Sequence, residues 1–135
     1  MIAAPDPPPP PIRPCGFHVS VRDALVLAAG AVATLLLWDR LGPLALLFPV
    51  VLGHFFLFCN LVRLWRRYEL IWAAVFMVNL GAWLLSGTLN WWGVLAVQTP
   101  LTLALVALQL RSPFYHGVFA RRINARLDDF LAGRL

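Results

Sequence analysis

The sequence predicts an all-α membrane protein: a bundle of four transmembrane helices followed by a C-terminal amphipathic interfacial helix. Three observations predict it. Hydrophobic residues make up 61% of the 135-residue chain and charged residues 13%, with a mean hydropathy of +0.77, against roughly 25% charged residues in an ordinary soluble domain. The apolar residues gather into runs of bilayer length, and the arginines gather beyond the ends of those runs. Lipid is therefore the expected solvent, and the chain has room for one domain rather than for an anchor plus a separate soluble catalytic module.

Met1 to Pro14 hold seven prolines, with an unbroken run from Pro7 to Pro11. Proline fixes φ and lacks the amide donor, so residues 1–18 are expected as a proline-rich, disordered cytoplasmic tail. The proline block also stands where a cleavable signal sequence needs an apolar stretch. The transmembrane domain is expected over 19–112. Its first helix, about 22–39, has the least apolar length: Ala24 to Trp38 is fifteen residues, about 22 Å of helix against a hydrocarbon core of about 30 Å. Val19 and Val21, a snorkelling Arg22 and an interfacial Trp38 complete it. The second helix, about 42–63, rests on the twenty-two uncharged residues from Leu41 to Val62, which end at Arg63, Arg66 and Arg67. Pro43 suits its first turn, and Pro49 is expected to kink its outer half.

Leu70 to Leu110 is a stretch of forty-one uncharged residues, about 61 Å as helix and enough for two crossings. The turn falls at Ser86-Gly87-Thr88-Leu89-Asn90-Trp91-Trp92-Gly93, where Gly and Asn supply turn geometry and the tryptophan pair an interfacial anchor. This divides the stretch into helices at about 68–86 and 93–111. Beyond it, residues 113–135 bring Phe119, Ile123, Leu127, Phe130 and Leu131 to one side and Arg121, Arg122, Arg126 and Asp129 to the other. That spacing predicts an amphipathic cytoplasmic helix, suited to lipid headgroups or to a partner surface.

All eleven basic side chains are arginine. Ten lie before the first helix, between the second and third, or after the fourth, and Arg40 alone stands on the other side. Positive charge collects on the cytoplasmic side of membrane helices, so both termini and the middle loop are expected there. The expected location is integral to a membrane, read as a bacterial inner (plasma) membrane. The net charge of +5 is thereby assigned to topology and not to nucleic acid.

Polar groups at membrane depth need partners, which makes their positions the best functional evidence in the sequence. His54, Asn79 and Thr102 fall near the middles of the second, third and fourth helices and, with Gln98, form an expected polar midplane cluster. On the fourth helix Gln98, Thr102, Gln109, Ser112 and His116 share one face within about 80°, a stripe read as interhelical hydrogen bonding ahead of a polar cavity. His54 is the sharpest single residue. An imidazole there can ligate haem iron or a metal, carry a proton or bond a quinone; the plainer expectation is a neutral histidine bonded to Asn79 or to a fourth-helix side chain. Asn60, Arg63, Glu69 and Gln109 form a second set on the cytoplasmic side, with Glu69 expected to cap the third helix and pair with neighbouring arginines. Cys15 and Cys59 have no ligand spacing, and Cys59 reads as a small buried apolar residue. No metal or cofactor is expected unless His54 holds one.

Nothing in the chain matches a nucleophile elbow, a phosphate-binding loop, HExxH or a carboxylate pair, so an enzyme is the weaker expectation. The ten residues Val78-Asn79-Leu80-Gly81-Ala82-Trp83-Leu84-Leu85-Ser86-Gly87 resemble the VNxxGxxLLG stretch of small four-helix fluoride channels. They fall in the third helix instead of the second and lack the Thr-Phe-Ser-rich motif that follows in those channels, so no residue role is carried over. The leading expectation is a non-catalytic integral membrane subunit or assembly factor of a larger complex, with the bilayer and a protein partner or a second copy as its contacts. The alternatives are a homo-oligomeric channel or small-solute transporter using the midplane polar residues, and a haem- or quinone-binding protein using His54.

Overall fold

The computed structural model describes residues 15–17 and 19–134, and every regular element among them is helical. The tail expected over residues 1–18 lies outside the described residues except for 15–17.

Helix α1 spans Val21–Leu41. Its start is set by a capping box: the Asp23 amide donates to Ser20 Oγ at 3.2 Å, and the Ser20 amide donates back to the Asp23 carboxylate at 2.8 Å. Satisfying two otherwise orphaned amides in this way starts the helix ahead of the apolar run and takes Arg22 and Asp23 into its first turn. The resulting 21 residues rise about 31 Å. At Gly42, whose φ of 53° suits a residue without Cβ, the chain enters a 3-10 turn, Gly42–Leu46, and continues into α2, Leu47–Phe56. Pro43 starts that turn and Pro49 falls in the first turn of α2, where no intrahelical donor is required. The second α-helix thus begins at Leu47 and not at about 42, which puts Pro49 in its first turn instead of its outer half.

The chain reverses completely. Val21–Val62 forms one uninterrupted helical run of 42 residues, yet Gly30 of α1 faces Leu52 of α2 so closely that a Cβ at position 30 would overlap the Leu52 side chain. Val26 and Leu27 likewise line a crevice with Leu52, Phe56 and Asn60. The run is therefore an antiparallel hairpin. Its second limb ends in a π-helical stretch, Leu57–Val62, closed by Arg63 in the left-handed region (φ 52°, ψ 58°) and by a bond from the Leu64 amide to the Phe58 carbonyl at 2.8 Å.

Helices α3, Arg66–Leu85, and α4, Trp91–Leu110, form the second hairpin. Gly87 turns between them with φ 76°, and Asn90 caps α4 by accepting from the Trp92 and Gly93 amides at 3.0 and 3.3 Å. The buried residues of α3, Trp72, Phe76 and Leu80, recur every fourth position. Those of α4 are Val94, Gln98, Thr102, Leu105 and Gln109. These two stripes meet in a seam, with the Trp83 indole lying against Gly93. Val21–Val62, Arg66–Leu85 and Trp91–Leu110 are long and apolar enough to cross a membrane, which makes this an integral membrane protein.

The continuous amphipathic helix expected over 113–135 is not formed. Two short helices, α5 (Ala120–Ile123) and α6 (Leu127–Leu131), flank Asn124, whose backbone is extended (φ −102°, ψ 101°). Its side chain donates to the Pro113 and Tyr115 carbonyls at 2.7 and 2.8 Å and accepts from the Arg126 amide at 2.9 Å. An asparagine that can bond neighbouring backbone competes with helix, and here it wins. Leu127 and Phe130 are buried as the periodicity predicts, but Phe119 and Ile123 are 67% and 45% exposed.

The segment folds into a cap over the π-helical end of the first hairpin. The Val118 amide donates to the Leu61 carbonyl at 2.9 Å, and a Cβ at Gly117 would lie 2.7 Å from that oxygen and 2.6 Å from the Val62 oxygen. These are carbonyls that a helix end leaves without intrahelical donors. The end of the leader docks on the same cap: the Gly16 amide donates to the His116 carbonyl at 2.9 Å, and the Phe17 ring packs edge-on against Phe56 at 6.3 Å.

Candidate functional site

The expected midplane cluster is assembled in part, around a residue outside it. Trp72 is the hub. It is buried on α3 and its indole N–H donates to Thr102 Oγ1 at 2.9 Å, while the Thr102 hydroxyl donates to the Gln98 carbonyl of its own helix at 2.8 Å. Gln98, fully buried, donates its Nε2 to the Trp72 carbonyl at 3.0 Å. One face of the Trp72 indole stacks on Phe76, centroids 5.1 Å apart, and His54 of α2 stacks on the same ring system at 4.4 Å with 28° between planes. Phe58 closes the group edge-on to both, 5.8 Å from His54 and 5.6 Å from Trp72. The group lies toward the arginine-bearing end, since Trp72 is only about 9 Å of rise from the start of α3.

His54 takes neither expected partner. Its Nδ1 bonds the Val50 carbonyl one turn back at 2.8 Å, and its ring faces Trp72 instead of Asn79 or a fourth-helix amide. Asn79 stands apart and donates to the Val94 carbonyl of α4 at 3.0 Å. Both outcomes follow from geometry. A side chain within reach of its own i−4 carbonyl satisfies itself locally, whereas Asn79, on the face toward α4, meets backbone first.

The second expected set is dispersed. Gln109 donates its Nε2 to the Arg63 carbonyl at 3.2 Å, joining the last turn of α4 to the end of α2. Glu69, in the first turn of α3, accepts from the Cys59 thiol at 3.6 Å. Asn60 lines the crevice between α1 and α2 with Asp23 and Leu27. The helix-four stripe holds as a buried face only as far as Gln109. Ser112 and His116 follow the end of the helix, where Ser112 Oγ accepts from the Phe114 amide at 3.3 Å and His116 stacks on Phe130 at 4.9 Å.

Two buried amide oxygens, Gln98 Oε1 and Gln109 Oε1, have no hydrogen-bond donor among the described residues. Each glutamine thus links helices through its nitrogen at the cost of a desolvated carbonyl. Among the described residues no group of three or more His, Cys, Asp or Glu side chains is placed to hold a metal ion. Outside the membrane-spanning helices, burial raises the Tyr115 phenol above its ordinary pKa of 10.0, and its hydroxyl donates to the Val118 carbonyl at 2.6 Å inside the cap.

Trp72 carried a signal in the sequence. Tryptophan in a membrane protein belongs at the interfaces, so one flanked on both sides by apolar helix has an N–H to satisfy and calls for an acceptor on a neighbouring helix. Thr102 is that acceptor. No family model, curated protein or solved structure matches the chain.

Proposed function

We propose that this protein is a non-catalytic helical subunit or assembly factor of a larger membrane complex, crossing the bilayer four times with both termini in the cytoplasm of a bacterial cell. The observation that carries this reading is the state of the membrane-depth polar residues. Gln98 and Asn79 donate across the α3–α4 seam and Thr102 accepts the Trp72 indole N–H across it, so they act as interhelical links in preference to the lining of a path. The outer surface of α1, by contrast, is apolar and exposed at Leu25, Val32, Leu35 and Leu36, a surface for lipid or for a partner's helix. The four crossings are supported by the fold-back of Gly30 onto Leu52, and the orientation by the ten arginines on one side. The exposed Phe119 and Ile123, among Arg121, Arg122 and Arg126, suit the cap to the cytoplasmic headgroup layer.

Purification in mild detergent tests the leading reading: a defined protein partner co-purifies in fixed ratio, and a stable isolated monomer overturns it. Topology is tested with an impermeant thiol reagent on intact cells. In a Cys15→Ser background, Asp39→Cys and Thr88→Cys label from outside while Arg66→Cys does not. Labelling of Asp39→Cys and Arg66→Cys from the same side would remove the second crossing.

One observation favours a second reading. The Val50 carbonyl engages His54 Nδ1, the arrangement that leaves Nε2 of a neutral imidazole as an acceptor or ligand. Haem or quinone binding at His54 then predicts a Soret band or an extractable quinone that His54→Ala abolishes.

A further inference from the structure

His54 and Phe58 of the first hairpin reach Trp72 of α3, and beside that contact the face between the hairpins is open. A cleft of 210 Å³ lies there, lined by Val51, Phe55 and Phe58 from one hairpin and by Glu69, Trp72 and Ala73 from the other. The Trp72 N–H is already given to Thr102, which leaves the Glu69 carboxylate as the polar side chain presented to an otherwise apolar wall. Among the described residues the hydrogen bond given to that carboxylate comes from the Cys59 thiol at 3.6 Å, a weak donor against a group that can accept about four hydrogen bonds. Arg67, two residues before it, is turned onto the rings of Trp65 and Tyr68, 4.4 and 4.8 Å from their centroids, and Arg66 is exposed.

We infer that this cleft binds an ammonium-bearing amphiphile, its nitrogen on the Glu69 carboxylate and its first carbons against Phe55, Phe58 and Trp72. Charge selects the head. An anion in surroundings this apolar calls for a counter-charge with hydrogen-bond donors, and aromatic faces add attraction for a cation. Size selects the tail. The cleft is smaller than the roughly 300–1,000 Å³ that encloses a drug-sized ligand, so it holds the head and the start of a chain. The rest of that chain runs out past the exposed Phe55 and Leu70 into lipid. Depth agrees, because Glu69 is in the first turn of α3, at the level where lipid amines lie. Two sources carry this chemistry, the headgroup of phosphatidylethanolamine and a free alkylamine. The inference stands whether or not the chain has a protein partner.

Native mass spectrometry of the full chain from detergent micelles tests it, with dodecylamine, dodecanol, phosphatidylethanolamine and phosphatidylglycerol as probes. Dodecylamine is retained at least tenfold more strongly than dodecanol, and Glu69→Gln removes that preference. Preference for phosphatidylethanolamine over phosphatidylglycerol assigns the site to the lipid; dodecylamine selectivity without it assigns the site to a free amine. Ala73→Leu, which fills the cleft and keeps the carboxylate, lowers dodecylamine retention. Equal retention of dodecylamine and dodecanol overturns the inference, as does unchanged dodecylamine binding in either variant.

Discussion

The hairpin of α1 and α2 and the hairpin of α3 and α4 are close in length and opposite in how they are joined. In the first, Gly30 is the buried residue of α1, α2 has none over Leu47–Phe56, and the contact is a glycine under the Leu52 methyls. In the second, α3 buries Trp72, Phe76 and Leu80 against five residues of α4, and an indole, two amides and a hydroxyl cross or brace the seam. The difference teaches where register comes from in lipid. Apolar helices gain little by leaving lipid for one another, so close packing and interhelical hydrogen bonds must choose the pairing. The α3–α4 pair carries those links itself. The first hairpin has its capped start and its 3-10 reversal, and borrows the rest: Trp91 donates its indole N–H to the Pro43 carbonyl at 2.7 Å at one end, His54 stacks on Trp72 farther along, and Val118 bonds Leu61 at the other end.

Removing the hub is the most damaging way to break this contrast. Trp72→Ala deletes the Thr102 bond and the His54 and Phe76 stacks together, and is expected to destabilise by about 3–5 kcal/mol in detergent unfolding, loosening both hairpins at once. A loss confined to the α3–α4 pair would show that the first hairpin stands alone. The two close glycines sharpen the comparison next. Gly93→Ala drives a methyl into the Trp83 ring and is expected to cost about 1–3 kcal/mol. Gly30→Ala meets the far end of a rotatable leucine and should stay within about 1 kcal/mol; equal costs would refute the distinction.

Smaller effects separate the polar links. Thr102→Val leaves the buried Trp72 N–H without its acceptor and should cost about 0.6–2 kcal/mol. Gln98→Leu removes a bond and an undonated carbonyl together, so its net cost should fall below about 1 kcal/mol. A Gln98→Leu loss larger than that of Thr102→Val would mean the amide, not the indole, sets the register. A further effect of similar size is in the cap. Tyr115→Phe loses the bond to Val118 and about 1 kcal/mol. Because burial raises the Tyr115 pKa above 10.0, the stability linked to that shift is complete below pH 10.0 and is lost as pH climbs toward the raised value. Trypsin cleavage at Arg121 and Arg122 should therefore accelerate above pH 10.0 in the wild-type chain, and Tyr115→Phe should lack that alkaline component.

The site was legible in pieces. His54, Gln98 and Thr102 stand out as polar residues in apolar runs, and the structure brings all three to one tryptophan, His54 and Thr102 to its indole and Gln98 to its backbone carbonyl. Their partners were not legible. Which ring or carbonyl a side chain meets depends on the rotation and crossing of helices, and two of the acceptors here, Val50 and Val94, are backbone atoms of apolar residues that no polar pattern marks. Trp72 escaped because tryptophan in such a chain reads first as an interfacial anchor. At the C-terminus, spacing identified Leu127 and Phe130 as buried but could not weigh Asn124, whose bonds to Pro113 and Tyr115 exist only once the chain has turned back on itself.

By itself, the sequence determined that the chain is helical and belongs in a membrane, because those properties depend on the length and hydropathy of local runs and on the need of every backbone amide for a partner in lipid. The starts of α1 and α4 are local as well, since Ser20, Asp23 and Asn90 act on amides within three residues of themselves, although hydropathy alone placed them at about 22 and 93. Only the tertiary structure decided how closely the two limbs of Val21–Val62 pack, that Trp72 is the hub, that the C-terminal segment caps the end of the first hairpin instead of continuing as one helix, and that Glu69 faces an open apolar cleft. Each of these is a contact between residues distant in sequence, chosen by packing once the local elements exist.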